Sequence, residues 1–177
     1  METNTTTAPA PSDVCAEMYA KPQAEHAWLQ KLLGTWAFES ECVAEPGQES
    51  QTYQGTETVK AVGDLWIVGE GEGEMPGGGR ARMMITLGYD PKRERFIGTW
   101  VGSMMTHLWV YEGQLDAAGR VLTLNAEGPS FTEPGKTAKY QDIIEMKSDD
   151  HRVLSSHACG EDGKWTHFMT AHYRRAQ

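Results

Sequence analysis

Cysteine, basic charge and long apolar runs are all scarce in this sequence, and each shortage excludes a class of protein. The 177 residues hold three cysteines, Cys15, Cys42 and Cys159, far apart and without paired spacing. Neither a disulfide framework nor a CxxC metal site is expected from them, and a reducing, cytoplasmic setting is the default. Lysine and arginine number 16 against 25 aspartates and glutamates, a formal charge of −9. Nucleic-acid binders carry a basic stripe. The densest basic groups here are only Lys92-Arg93 with Arg95, and Arg174-Arg175, so nucleic acid is not an expected partner. No segment approaches the ~20 apolar residues of a membrane helix, and no membrane partner is expected. The opening METNTTTAPAPSD lacks the basic start and apolar run of a secretory signal.

Helical periodicity is confined to residues 24–33, AEHAWLQKLL. There Trp28 with Leu32, and Leu29 with Leu33, make an i, i+4 apolar stripe ended by Gly34. Residues 1–23, rich in Thr, Ala and Pro, bury too little to offset the entropy of ordering and read as a flexible tail. Residues 24–177 read as a single domain. From Gly34 onward the pattern is strand after strand, at the spacing of about 8–12 residues typical of sandwiches and barrels. The strands fall near 35–43, 51–62, 64–73, 80–89, 94–103, 105–115, 120–127, 136–147, 151–159 and 164–174. Nearly every break is a short turn, so consecutive strands pair as antiparallel neighbours. Only Ser103 to Thr106 lacks a turn signal, which leaves room there for one long bent strand. Ten meandering strands are too many for one flat sheet, and closure removes exposed edges. The expected fold class is all-β: a roughly ten-stranded antiparallel up-and-down barrel with a short N-terminal helix over one end.

Period-two alternation then selects an interior. The hairpin across Asp90-Pro91-Lys92-Arg93, with Leu87 opposite Phe96, puts Met83, Ile85 and Trp100 on one apolar face. Pairing across residues 116–119 adds His107, Trp109 and Tyr111 with Leu122, Leu124 and Ala126. Pairing across 160–163 adds Leu154, Ser156 and Ala158 with Trp165, His167 and Met169. Tyr140, Asp142, Ile144 and Met146 follow on the strand beginning near Lys136. One bulge would flip part of this set. Met83, Trp100, Met104, His107, Trp109, Tyr111, Tyr140, Trp165, His167 and Met169 are the expected ligand-binding residues, because large, polarizable side chains with a few polar groups are what line pockets for small apolar molecules. The competing reading is that these side chains simply fill the barrel.

Facing inward, His107 and His167 can orient a ligand, or one can act as a general base with Asp142 holding its tautomer. These three are the catalytic candidates. With no nucleophile motif beside them, a buried histidine satisfied by a hydroxyl such as Ser156 is the plainer alternative. His151, His157, Cys159 and His172 share the outer face, with His151 opposite His172. At a rise of ~3.3 Å per residue, His151 and Cys159 stand about 27 Å apart, too far for one zinc site, and no metal is assigned. The glycine-rich run from Gly69 to Gly79 lacks the Lys-Ser/Thr and the helix of a phosphate-binding loop, and its glutamates repel phosphate. It reads as a strand end and a loop at the barrel mouth, suited to a lid.

Leu33-Gly34-Thr35-Trp36, Leu87-Gly88-Tyr89-Asp90, Phe96-Ile97-Gly98-Thr99-Trp100-Val101, Gly113 to Asp116, Gly128-Pro129 and Ala171-His172-Tyr173-Arg174-Arg175 together resemble the bacterial family known as domain of unknown function 1579. The resemblance spans about residues 24–175 and implies a calycin-like, lipocalin-like barrel. In such barrels a Gly-x-Trp opens the first strand and a basic residue of the last strand packs over the Trp. Gly34, Trp36 and Arg174 take those parts by analogy. Gly102 stands where such sequences often carry an Asp. Nitrobindin-type barrels share the plan and hold haem through a histidine near the C-terminus, for which His167 and His172 are the available ligands; otherwise no cofactor is expected. Three functions follow: a binder of a small apolar or aromatic molecule, an enzyme using His167 as base with Tyr111 or Asp142 in support, or a solid barrel whose outer faces form a homodimer.

Overall fold

The computed structural model describes residues 19–43, 50–75 and 78–176. Residues 1–18 of the expected tail, and residues 76 and 77 of the expected mouth loop, lie outside that range. The first element, α1 (Ala24–Leu29), runs into one tight turn, Gln30–Leu32. Six residues are too few for a helix stable on its own, so tertiary contacts hold it. The Gln23 backbone N–H donates to His26 Nδ1 at 3.0 Å, and His26 Nε2 donates to the Tyr89 carbonyl at 3.1 Å. The Trp28 indole donates to the Gly119 carbonyl at 2.9 Å and meets Phe96 edge-on at 5.8 Å. Leu29 and Leu32 are fully buried beneath.

Ten strands follow: β1 (Gly34–Cys42), β2 (Gln51–Val62), β3 (Trp66–Glu74), β4 (Arg80–Asp90), β5 (Arg95–Gly102), β6 (Trp109–Leu115), β7 (Val121–Pro129), β8 (Thr137–Ser148), β9 (His151–Cys159) and β10 (Trp165–Arg175). Each pairs antiparallel with the next, and β1 pairs with β10, placing Trp36 opposite Arg175 and Phe38 opposite Tyr173. The result is the closed up-and-down barrel expected from the strand spacing.

The β4–β5 hairpin shows why the faces could be assigned despite an error in register. Asp90 Oδ1 accepts from the backbone N–H of Lys92 at 2.9 Å and of Arg93 at 3.4 Å. The turn extends through Glu94, whose φ is 52°. Tyr89 therefore faces Phe96, and Leu87 faces Gly98, two residues from the expected pairing. A shift of two leaves side-chain parity unchanged, so Met83, Ile85 and Trp100 still point inward. Between β5 and β6 the chain does not run on as one bent strand. Met105 N–H donates to the Gly102 carbonyl at 3.2 Å, and pairing resumes only at Trp109.

Below α1 the barrel is packed solid: Leu29, Trp36, Ile67, Leu87, Phe96 and Leu122 are each at most 1% exposed. Burying a side chain of this size contributes about 1.5–3 kcal/mol. The residue over Trp36 is Arg175, 4.3 Å above the ring, rather than Arg174, which points outward and is exposed. Arg175 also donates to the carbonyls of Leu33 at 2.6 Å and Lys31 at 3.0 Å. Gly34 has a φ of 111°, and a Cβ there would fall 2.7 Å from the Arg175 guanidinium, so the start of β1 requires glycine.

Candidate functional site

Toward the end away from α1 the interior is hollow, with a cavity of about 270 Å³. That lies just below the usual range of about 300–1,000 Å³ for ligand pockets, which suits a small molecule. Its wall is mainly apolar: Met83 and Ile85 of β4, Trp100 of β5, Trp109 of β6, Leu124 of β7 and Met169 of β10. Inward-facing Gly71 and Gly73 of β3 let Met83 and Phe38 lie close against the sheet; a Cβ on either would press on Met83 or Phe38 at 2.8 Å. Trp109 lies over Gly128, where a Cβ would come within 2.5 Å of the indole. It meets Tyr140 edge-on at 4.9 Å, and its Nε1 donates to Met105 Sδ at 3.1 Å. At the rim, Phe131 in the β7–β8 loop packs on Tyr140 at 5.1 Å and Phe168 at 5.9 Å, yet stays 64% exposed.

Besides Ser40 and exposed Glu74, two buried polar groups interrupt this wall. Glu57 of β2 and Arg152 of β9 form a buried ion pair, with the guanidinium 4.1 Å over the Tyr173 ring and 4.9 Å from Trp36. Burial, reinforced by Glu57, pushes the Tyr173 phenol up. The second group is Asp142 of β8. Ser156 Oγ donates to its Oδ1 at 2.5 Å, and the Tyr111 hydroxyl donates to Oδ2. Burial raises the Asp142 carboxyl above its ordinary value, against the lowering effect of the two hydroxyls. Burial and the neighbouring Asp142 hold the Tyr111 phenol well above its usual range. Among the described residues, no lysine, arginine or histidine forms an ion pair with Asp142.

Six expected ligand-binding residues line the cavity, namely Met83, Trp100, Trp109, Tyr111, Tyr140 and Met169, and so does Asp142. Met104, His107, Trp165 and His167 do not. Met104 is largely exposed, with its Sδ over Gly102 beside the Trp100 ring, and does not line the cavity; Met105 lines it instead, because the chain turns there rather than continuing as strand. His107 precedes β6 at the rim, its Nε2 donating to the Glu127 carbonyl at 3.1 Å, and it borders an outer groove with Trp165. In β10 the register slips between His167 and Met169. This bulge at Phe168 reverses parity, turning Phe168 and Met169 toward the cavity and His167 outward, 5.1 Å from His157. His167 Nε2 donates instead to the Met169 carbonyl at 2.9 Å.

The three catalytic candidates therefore do not converge: Asp142 is inside, His107 on the rim and His167 on the outer wall. His151 and His172 stack at 5.4 Å on that wall as well. A haem held by His167 or His172 does not fit this arrangement, because neither imidazole faces the cavity. Glu57, Arg152, Phe38 and Tyr173 were legible by parity alone, since Glu57 shares its face with Val59, and Arg152 with Leu154 and Ser156. Phe131 sits in a loop with no periodic signal.

The family described as "Protein of unknown function (DUF1579)" matches residues 21–175. No curated protein matches the sequence. Among solved structures, the crystal structure of Rv2717c from M. tuberculosis is 14% identical, with 89% of this chain and all of that chain covered, at a TM-score of 0.57. A de novo designed fluorescence-activating barrel is 14% identical over 83% of this chain and 95% of its own, at a TM-score of 0.46. A redesigned barrel, mFAP0, bound to DFHBI, is 15% identical over 82% of this chain and 100% of its own, at 0.45. Of these three, Rv2717c alone exceeds a TM-score of 0.5, and at 14% identity that likeness speaks for the fold alone.

Proposed function

The chain belongs to the DUF1579 family, and from that premise we infer that it is a binding protein holding a small apolar or aromatic molecule inside its barrel. The observation that carries this reading is the hollow itself: a barrel sealed at one end by α1 and solid beneath it keeps about 270 Å³ open at the other. Met83, Ile85, Trp100 and Met169 line that space and remain only partly buried. Apolar surface left open inside a closed barrel is stabilised by an apolar ligand that covers it. Trp109, Tyr140, Phe131 and Phe168 form a continuous aromatic wall suited to a planar ring.

The test is a thermal-unfolding screen against small neutral aromatic and aliphatic compounds. A ligand specific for the native state raises stability with its concentration, by about 2.7 kcal/mol at one hundred times its Kd. Ala126→Phe, which places a ring in the cavity, abolishes the shift. If no compound in a broad set stabilises the protein at millimolar concentration, the reading fails.

A further inference from the structure

Building on that reading, we propose that the ligand carries a protonated amine, held by the Asp142 carboxylate at one end of an otherwise apolar or aromatic body. The argument is a charge inventory of the cavity. Glu57 and Arg152 neutralise each other in the floor, and the rings of Tyr173 and Trp36 cover the guanidinium. The pair thus carries no net charge to offer an anion, and what Arg152 keeps free is its buried Nε–H donor. Asp142 has no such partner. Its neighbours on every element packed against it are Leu124 on β7, Ser156 on β9 and Tyr111 on β6, with the Tyr173 phenol beyond and His157 on the outer side of β9. None is a cation inside the cavity.

Two hydroxyl donors on the two oxygens are what a carboxylate needs to stay ionised in such a place. Each oxygen still keeps a free lone pair. With Tyr111 and Ser156 both donating to Asp142, the oxygens left to the ligand are acceptors, so the matching ligand group is a donor. An ammonium supplies both the donor and the missing charge. The aromatic wall of Trp109, Tyr140 and Phe168 stabilises a cation by its ring quadrupoles. At the rim, exposed Glu74 borders the opening, and a chain of net charge −9 draws cations and repels anions.

The experiment is calorimetric titration of the full chain with phenethylamine, phenethyl alcohol and phenylacetate, which share a ring and differ in the charge at its end. Phenethylamine is expected to bind at least tenfold more tightly than the alcohol, and phenylacetate most weakly. Asp142→Asn is expected to erase the amine's advantage while leaving the alcohol's affinity within twofold. Tyr111→Phe, which removes one of the two hydroxyls that keep the carboxylate ionised, is expected to reduce the amine preference in part, and an unchanged affinity for the alcohol in both variants shows that an altered fold is not the cause. Lowering the pH through the Asp142 titration weakens the amine and spares the alcohol. Equal binding of amine and alcohol, or preference for phenylacetate, overturns the amine assignment while leaving the binding function standing. Failure of all three, together with the whole neutral set, removes the binding function and the amine assignment with it.

Discussion

The two ends of this barrel are built from the same strands and differ in nearly everything else. At the α1 end, Trp28, Leu29, Leu32 and Trp36 interlock with Ile67, Leu87 and Phe96, all at most 4% exposed; His26 Nε2 and the two indoles donate to carbonyls, and His26 Nδ1 accepts from the Gln23 backbone N–H. At the other end the aromatic side chains stand around a void, and Phe131 and Met105 reach it from loops. The contrast separates what holds the fold from what would hold a ligand. Cohesion is concentrated where helix, strands and the Arg175 clamp meet, which frees the opposite end to stay open.

The largest break in that contrast comes from the closed end. Trp36→Ala leaves a cavity beneath α1 and strips the ring from two guanidinium groups; a loss of about 3–5 kcal/mol is expected in urea denaturation. Glu57→Gln lies between the ends and leaves Arg152 buried without its counter-charge. Removing one partner of a buried pair costs about 3–5 kcal/mol, and the lower figure is expected because glutamine still accepts a hydrogen bond. A near-normal midpoint for this variant would mean that Arg152 finds another partner.

The pH dependence of stability sharpens the comparison from the open end. Burial holds Asp142 above its ordinary value of 3.8, so folding favours the protonated acid. Its contribution is full below about pH 4 and is lost as pH rises through the native titration. Asp142→Asn should therefore match the parent in acid and exceed it in stability toward neutral pH, as read by midpoints across a pH series. Phe131→Ala at the mouth should change stability by less than about 1 kcal/mol, since the ring is mostly exposed, while weakening any ligand held against Tyr140 and Phe168. The smallest effect belongs to His167→Ala on the outer wall. Stability should stay within about 0.5 kcal/mol and ligand affinity should not move; a large loss of affinity would return His167 to the site.

Strand number, order and inward parity could be read in advance because they depend on short-range facts: alternation with period two, and turn residues at regular intervals. Even a register error of two at the β4–β5 hairpin left every face in place. By the same rule Glu57 and Arg152 were visible as charges on inward positions, but their pairing across 95 residues was not, because only closure brings β2 opposite β9. The bulge at Phe168 was likewise beyond local pattern. One unpaired residue there reverses the direction of Trp165 and His167, and nothing in the neighbouring residues marks where it falls.

The sequence by itself determined a closed β-meander with an aromatic and methionine-lined interior, since side-chain alternation and turn chemistry act within a few residues. Only the tertiary structure decided that Asp142 and not a histidine faces the hollow, that Arg175 clamps Trp36, and that a loop phenylalanine stands at the mouth. Those outcomes depend on which distant strands and loops the closed barrel brings together, and no local periodicity records that.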